Sequence, residues 1–166
     1  MTTLICDSFD PMFAVRTFME KGGQSVDRFN ARQITLYTGL QCEELAEKLL
    51  VIAGGALTSA GRGELLKAVE MLNDMSERFK SGMHLGDVMR CDHAAMLDAD
   101  IDLAWVSMGA AYSVSSDAPG AFTEVAKANH AKFPNGVPLR NSQGKIVKPE
   151  GWRSPDLEPF VARIEG

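Results

Sequence analysis

Glu43, Glu44 and Glu47 form an E-E-x-x-E cluster. In a helix the i, i+3 spacing brings Glu44 and Glu47 to one side, where both carboxylates reach a single cation. Leu36, Leu40 and Val51 share that side, and these are residues a core would take. A buried, unpartnered carboxylate costs roughly several kcal/mol, so such a face requires a metal ion, a basic side chain or a proton. Carboxylate oxygens suit Mg²⁺, which leaves positions for water or phosphate oxygens. The competing reading is a solvated acidic patch aided by Lys48, since exposed helix faces are the usual home of glutamate. A second pair, Asp98 and Asp102, lies one turn apart beside the stripe Leu97, Ile101 and Met108. Taken alone, such a pair merely repels, by roughly a few tenths of a kcal/mol. Two acidic pairs meeting across a helix interface demand cations.

The elements that must carry these residues are helices. Asp10-Pro11 caps a first helix over Met12 to Lys21, which stops at Gly22-Gly23. A second runs from Asn30 to Ala53, carries the glutamates and ends at Gly54-Gly55. Gly61 and Gly63 loosen the next connection, and Glu64 to Lys80 then repeats Leu65, Val69, Leu72, Met75 and Phe79 at helical spacing. A fourth helix spans Asp87 to Tyr112, with Leu97, Ile101, Ala104, Trp105 and Met108 on one stripe. Ser115 to Gly120 is a turn cluster, and a fifth helix covers Ala121 to Lys132, before Pro134. In the tail, Val137 to Arg140 and Lys145 to Lys148 are able to pair as a small hairpin. The expected fold is all-α: a four- or five-helix bundle with a short irregular or β-hairpin C-terminal arm. It forms one domain over 1–166, with a helical core from about 10 to 133 and an arm from about 134 to 166.

Composition narrows the function classes. The chain is 45% hydrophobic and 23% charged, as in ordinary globular proteins, and no apolar run approaches the roughly 20 residues of a membrane span. Asp7 and Asp10 interrupt any signal peptide, and Cys6, Cys42 and Cys91 are odd in number and dispersed, which suits reduced, buried thiols and a cytoplasmic setting. A net charge of −5 argues against a nucleic-acid polymer, although a small phosphate ester held through a metal and a few lysines remains compatible. His84, His93 and His130 have no metal spacing, no E-x-x-H pair suggests a di-iron bundle, and no nucleophile or P-loop signature is present.

The order E-E-x-x-E, then D-x-x-x-D with an aromatic residue after it, then Asn129-x-x-Lys132-Phe133-Pro134, resembles the all-α nucleoside triphosphate pyrophosphohydrolases. These comprise the MazG-like enzymes and their relatives among phosphoribosyl-ATP pyrophosphohydrolases and dimeric dUTPases. Gly144-Lys145-Ile146-Val147-Lys148, with Gly151-Trp152 and Pro155-Asp156-Leu157, is similar to a bacterial and phage branch often labelled Cof-like. The resemblance covers most of the chain and is weakest between Gly54 and Met89.

The resemblance implies a MazG-like bundle that cleaves a nucleoside or deoxynucleoside triphosphate between its α and β phosphates, giving the monophosphate and pyrophosphate. It also implies Mg²⁺, with Mn²⁺ as a substitute, and a homodimer or homotetramer. The family's metal motif is E-x-x-E followed by E-x-x-D. Glu44 and Glu47 match its first half, Asp98 matches the final Asp, and Ala95 stands where the third acid belongs. Either Asp102 or Asp92 supplies the missing ligand, or the site holds fewer ions. Catalytic roles thus fall to Glu44, Glu47 and Asp98, with Glu43 polarising the attacking water. Asn129 and Lys132 match nucleotide-contacting positions, since a triphosphate needs cationic donors and Asn reads a hydroxyl or a base edge. Lys145 and Lys148 add positive charge if the arm folds over the site. Trp105 either stacks on a base or packs in the core, and Trp152 presents the same choice. Two alternatives stand beside this reading: a catalytically weak or silent nucleotide-binding homologue, suggested by Ala95, and a helical interaction protein whose acids are solvated.

Overall fold

The structure, a computed structural model, describes residues 10–140 and 146–163. Those residues form six α-helices and two 3-10 turns, with isolated bridges and no strand, so the described chain is all-α. No helix among them is long and apolar enough to cross a membrane. The chain divides into two compact units, Arg28–His93 and the combination of Met1–Asp27 with Ala94–Gly166.

In the unit Arg28–His93, helix α2 (Ala31–Gly54) and helix α3 (Ser59–Ser81) form an antiparallel hairpin, followed by the short α4 (Leu85–Arg90). Asn30 caps α2 through its side chain to the Gln33 N–H at 3.1 Å, and Thr58 caps α3 through the Gly61 N–H at 3.1 Å. That cap starts α3 five residues before Glu64, with Gly61 and Gly63 inside the helix rather than in the connection. The hairpin closes on small residues. Ala31, Thr35, Gly39, Ala46 and Ala53 are the buried positions of α2, and Val69 and Ser76 those of α3. At Gly39 a β-carbon would lie 2.8 Å from the Ser76 carbonyl oxygen, so the helices approach too closely there for any side chain.

The expected fourth helix is broken in two. Arg90 ends α4, Cys91 adopts extended backbone (φ −71°, ψ 167°), and α5 (His93–Val114) begins after Asp92. Periodicity passes through such a break because the flanking residues all tolerate helix. The overlooked signal is Asp92, a residue type that favours the position just before a first turn. Cys91 lies exposed at this junction and Cys42 is half-buried, both as free thiols, which corrects the expectation of buried cysteines; Cys6 lies outside the described residues.

In the other unit, α1 (Pro11–Lys21) packs on α6 (Ala118–His130). Phe18 meets Phe133 edge-on at 4.8 Å, and His130 Nε2 donates to the Ala14 carbonyl at 3.2 Å. Asp117 caps α6 through the Gly120 N–H at 2.9 Å, drawing into the helix residues expected as a turn. The C-terminal segment ties to the end of α5 through an antiparallel bridge between Ser115 and Val161 and an Ala162 N–H to Val114 carbonyl bond of 3.0 Å. The arm's expected hairpin is represented by one bridge, Arg140 to Ile146, and a Val147 N–H to Leu139 carbonyl bond of 2.9 Å; its turn lies outside the described residues.

None of the side chains of α5 is buried. Leu97 is 61% exposed, Ile101 54% and Trp105 79%, so the stripe expected to form core is left exposed among the described residues. Sequence periodicity identifies an apolar face but not what covers it.

Candidate functional site

Helical spacing places Glu44 and Glu47 on one side of α2, and both are exposed. Their stripe is not the one α2 buries. Positions 39, 46 and 53, two turns apart, face α3, whereas Leu36 and Leu40 are half-buried and Val51 is 78% exposed. The premise that these carboxylates lie within a packed core is therefore corrected for this unit: the small-residue face won, because only it permits the close approach at Gly39.

Glu43 points to α3. Its Oε2 lies 2.8 Å from Lys80 Nζ, and these side chains are 31% and 16% exposed. Lys80 also lies 3.5 Å from Glu77 Oε1. An ammonium thus occupies one oxygen of the carboxylate expected to polarise water, which makes Glu43 a tie between helices.

Asp98 and Asp102 sit one turn apart on α5, with Trp105 close to the same side, and all three are exposed. Ala95 precedes them in the first turn of that helix. The four carboxylates are hard oxygen donors and fit Mg²⁺ in kind. In number, α2 supplies two and α5 two, and among the described residues no group of three or more His, Cys, Asp or Glu side chains gathers within either unit.

Of the residues expected to contact the nucleotide, Asn129, Lys132 and Lys148 lie close to one another, and Trp105, on α5, has no contact with them among those described. Lys132 Nζ donates to Asn129 Oδ1 at 2.8 Å, the i, i+3 pair at the end of α6. The arm returns along this helix, and the Trp152 indole N–H donates to the Ala128 carbonyl at 2.7 Å. Lys132 Nζ lies 5.7 Å from the Trp152 ring centroid, and Lys148 Nζ lies 4.4 Å from it. Four side chains from α6 and the arm are thereby joined, and the platform is Trp152, which sequence reasoning left undecided between stacking and packing. Lys145 lies outside the described residues. A shallow open groove of about 520 Å³ adjoins the cluster, lined in part by Glu124, Lys127, Ala128, Trp152 and Arg153. Within it Lys127 is paired with Glu124 at 3.1 Å, so its charge is already answered.

Chemically, the cluster is a cationic patch with an aromatic floor and an amide edge, able to hold an anion. No family model matches this chain, and neither a curated protein nor a solved structure does.

Proposed function

We propose that this chain is a Mg²⁺-dependent nucleoside triphosphate pyrophosphohydrolase of the MazG-like all-α type, cleaving the α–β phosphoanhydride to give NMP or dNMP and pyrophosphate. The observation that carries this reading is the assembly of Asn129, Lys132 and Lys148 around Trp152. The resemblance assigns nucleotide contact to Asn129 and Lys132, and Lys148 adds positive charge from a different segment.

In this reading Glu44, Glu47 and Asp98, with Asp102 in place of the acid missing at Ala95, hold Mg²⁺, or Mn²⁺ as its substitute. The ion, when bound, supplies charge neutralisation at the phosphates and a polarised water. Lys132 and Lys148 draw in the triphosphate, Asn129 orients the nucleoside, and exposed Trp105 is free to stack on a base. Glu43 is assigned to structure because of Lys80. The partner proposed for α5 is a second copy in a homodimer or homotetramer, since an apolar helix with no buried side chain is a costly surface to leave in water. A cytoplasmic setting follows from the three dispersed cysteines.

Pyrophosphate release from a panel of nucleoside triphosphates, with and without Mg²⁺, tests the proposal. Monophosphate and pyrophosphate in equal amounts support it, and no release with any nucleotide or ion rejects it. A second reading, a nucleotide-binding homologue without turnover, is favoured by Ala95. It is distinguished by nucleotide binding that raises the melting temperature while no product forms.

A further inference from the structure

We propose that the tip of the α2–α3 hairpin is a lipid-surface anchor, which dips into one face of an anionic membrane with Lys48 and Arg62 at head-group level. From Leu49 to Gly61 the chain carries no charged residue, a stretch that covers the end of α2, the connection and the first residues of α3. The first charge on either side is basic. Lys48 stands behind the tip on α2 and Arg62 on α3, both exposed, and the acids Glu47 and Glu64 come only one and two positions further back. Leu57, in the connection, is fully exposed, and Leu50, Val51 and Ile52 are each at least half exposed.

Successive positions of a helix are turned by about 100°, so residues 50, 51 and 52 look out over more than half the circumference of α2, and Leu57 lies beyond its end. A flat protein surface covers one of these directions, whereas a fluid interface closes around all of them. The backbone is prepared for dehydration. The N–H groups of Gly55, Ala56 and Arg62 donate to the carbonyls of Ile52, Ala53 and Thr58, and that of Gly61 to the Thr58 hydroxyl, at 3.0 to 3.3 Å. At about 1.5 Å per residue, Lys48 stands about 9 Å behind the end of α2 and Arg62 about 5 Å behind the start of α3. Interfacial segments bury their apolar side roughly 5–10 Å deep, so both long side chains reach lipid phosphates while the aliphatic ones insert. A second copy meeting this one tip to tip would set leading cations against leading cations, which disfavours that partner.

The test is co-sedimentation of the full chain with vesicles of phosphatidylcholine holding about 30% phosphatidylserine, and with vesicles of phosphatidylcholine alone. The chain is expected to sediment with the anionic vesicles and to bind the neutral ones about tenfold more weakly. Leu57→Asp, which changes a fully exposed side chain just before the α3 cap, weakens binding about tenfold or more. Lys48→Gln combined with Arg62→Gln brings binding to anionic vesicles down about tenfold, to the level of the neutral ones. A chain that stays in the supernatant with both vesicles, or a Leu57→Asp variant that binds as the unaltered chain does, overturns the anchor. Equal binding to the two vesicles overturns the head-group role of Lys48 and Arg62. Leu57→Asp should leave the mass of the chain in solution unchanged, and a fall in that mass gives the tip to a second copy and rejects the lipid. Should Leu57→Asp not fold, the Lys48 and Arg62 substitutions decide, since both side chains are exposed. Pyrophosphate release is measured without lipid, so the nucleotide reading stands or falls separately.

Discussion

Lys80 Nζ lies 2.8 Å from Glu43 Oε2, and this contact separates Glu43 from its neighbour Glu44 although the two are adjacent in sequence. Glu43 is tied to α3, while Glu44 and Glu47 are exposed on α2. The pair is only partly exposed, so solvent screens it less than a surface ion pair. A double-mutant cycle of Glu43→Gln and Lys80→Met should return a coupling of about 1 kcal/mol. Any effect of Glu43→Gln on turnover should be reproduced by Lys80→Met. A loss of turnover confined to the Glu43 variant would return that carboxylate to the chemistry.

At Gly39 α2 approaches α3 closely enough that a β-carbon would lie 2.8 Å from the Ser76 carbonyl oxygen. Alanine improves helix propensity by about 1 kcal/mol, but overpacking costs about 1–3 kcal/mol. Gly39→Ala should therefore lower stability on balance, measured by denaturant midpoint with an unchanged m-value.

The exposed apolar surface of α5 makes self-association measurable. Light scattering on the eluted chain should give a mass at least twice the monomer's 18.0 kDa. Replacing Leu97 and Val106, 61% and 60% exposed, with lysine should shift it to monomer. A monomeric unaltered chain at micromolar concentration would remove the second copy as the partner of α5.

Glu44→Gln and Asp98→Asn retain shape and remove a charged oxygen donor each. Both should lower Mg²⁺-dependent pyrophosphate release by about 100-fold or more, and abolish thermal stabilisation by Mn²⁺ with nucleotide. Full activity in both variants would exclude this metal set.

The His84 ring N–H donates to Asp87 at 2.9 Å, and this bond, with lesser help from the charge of His84 and from Arg90, holds the Asp87 carboxyl below its usual range. A carboxyl depressed in the folded state contributes stability that is present above the unfolded carboxylate pKa of about 4 and lost as pH falls through the folded value. Asp87→Asn should flatten the acid side of the melting-temperature profile, slightly because the group is exposed. An unchanged acid limb would show that the bond adds nothing to folding.

Much of the helical layout was legible in local signals. Asp10-Pro11, Asn30 and Gly54-Gly55 mark ends that the structure keeps within a residue, because caps act through neighbouring backbone groups. Thr58 and Asp117 carried the same kind of signal, and nearby glycine and proline residues obscured it. The i, i+3 spacing alone also sufficed to put Glu44 and Glu47 on one side of α2.

What tertiary structure decided was which face is covered and which distant segments meet. Leucine-bearing and alanine-bearing faces of α2 both look buriable in sequence, and the shape of α3 at Gly39 selected the smaller one. The stripe on α5 is apolar by composition, yet none of its side chains is buried among the described residues. Trp152 became the floor for Lys132 and Lys148 only when the arm folded back on Ala128. Local sequence specifies the conformation of a segment through its own backbone, whereas burial and convergence depend on the surfaces of elements far away along the chain.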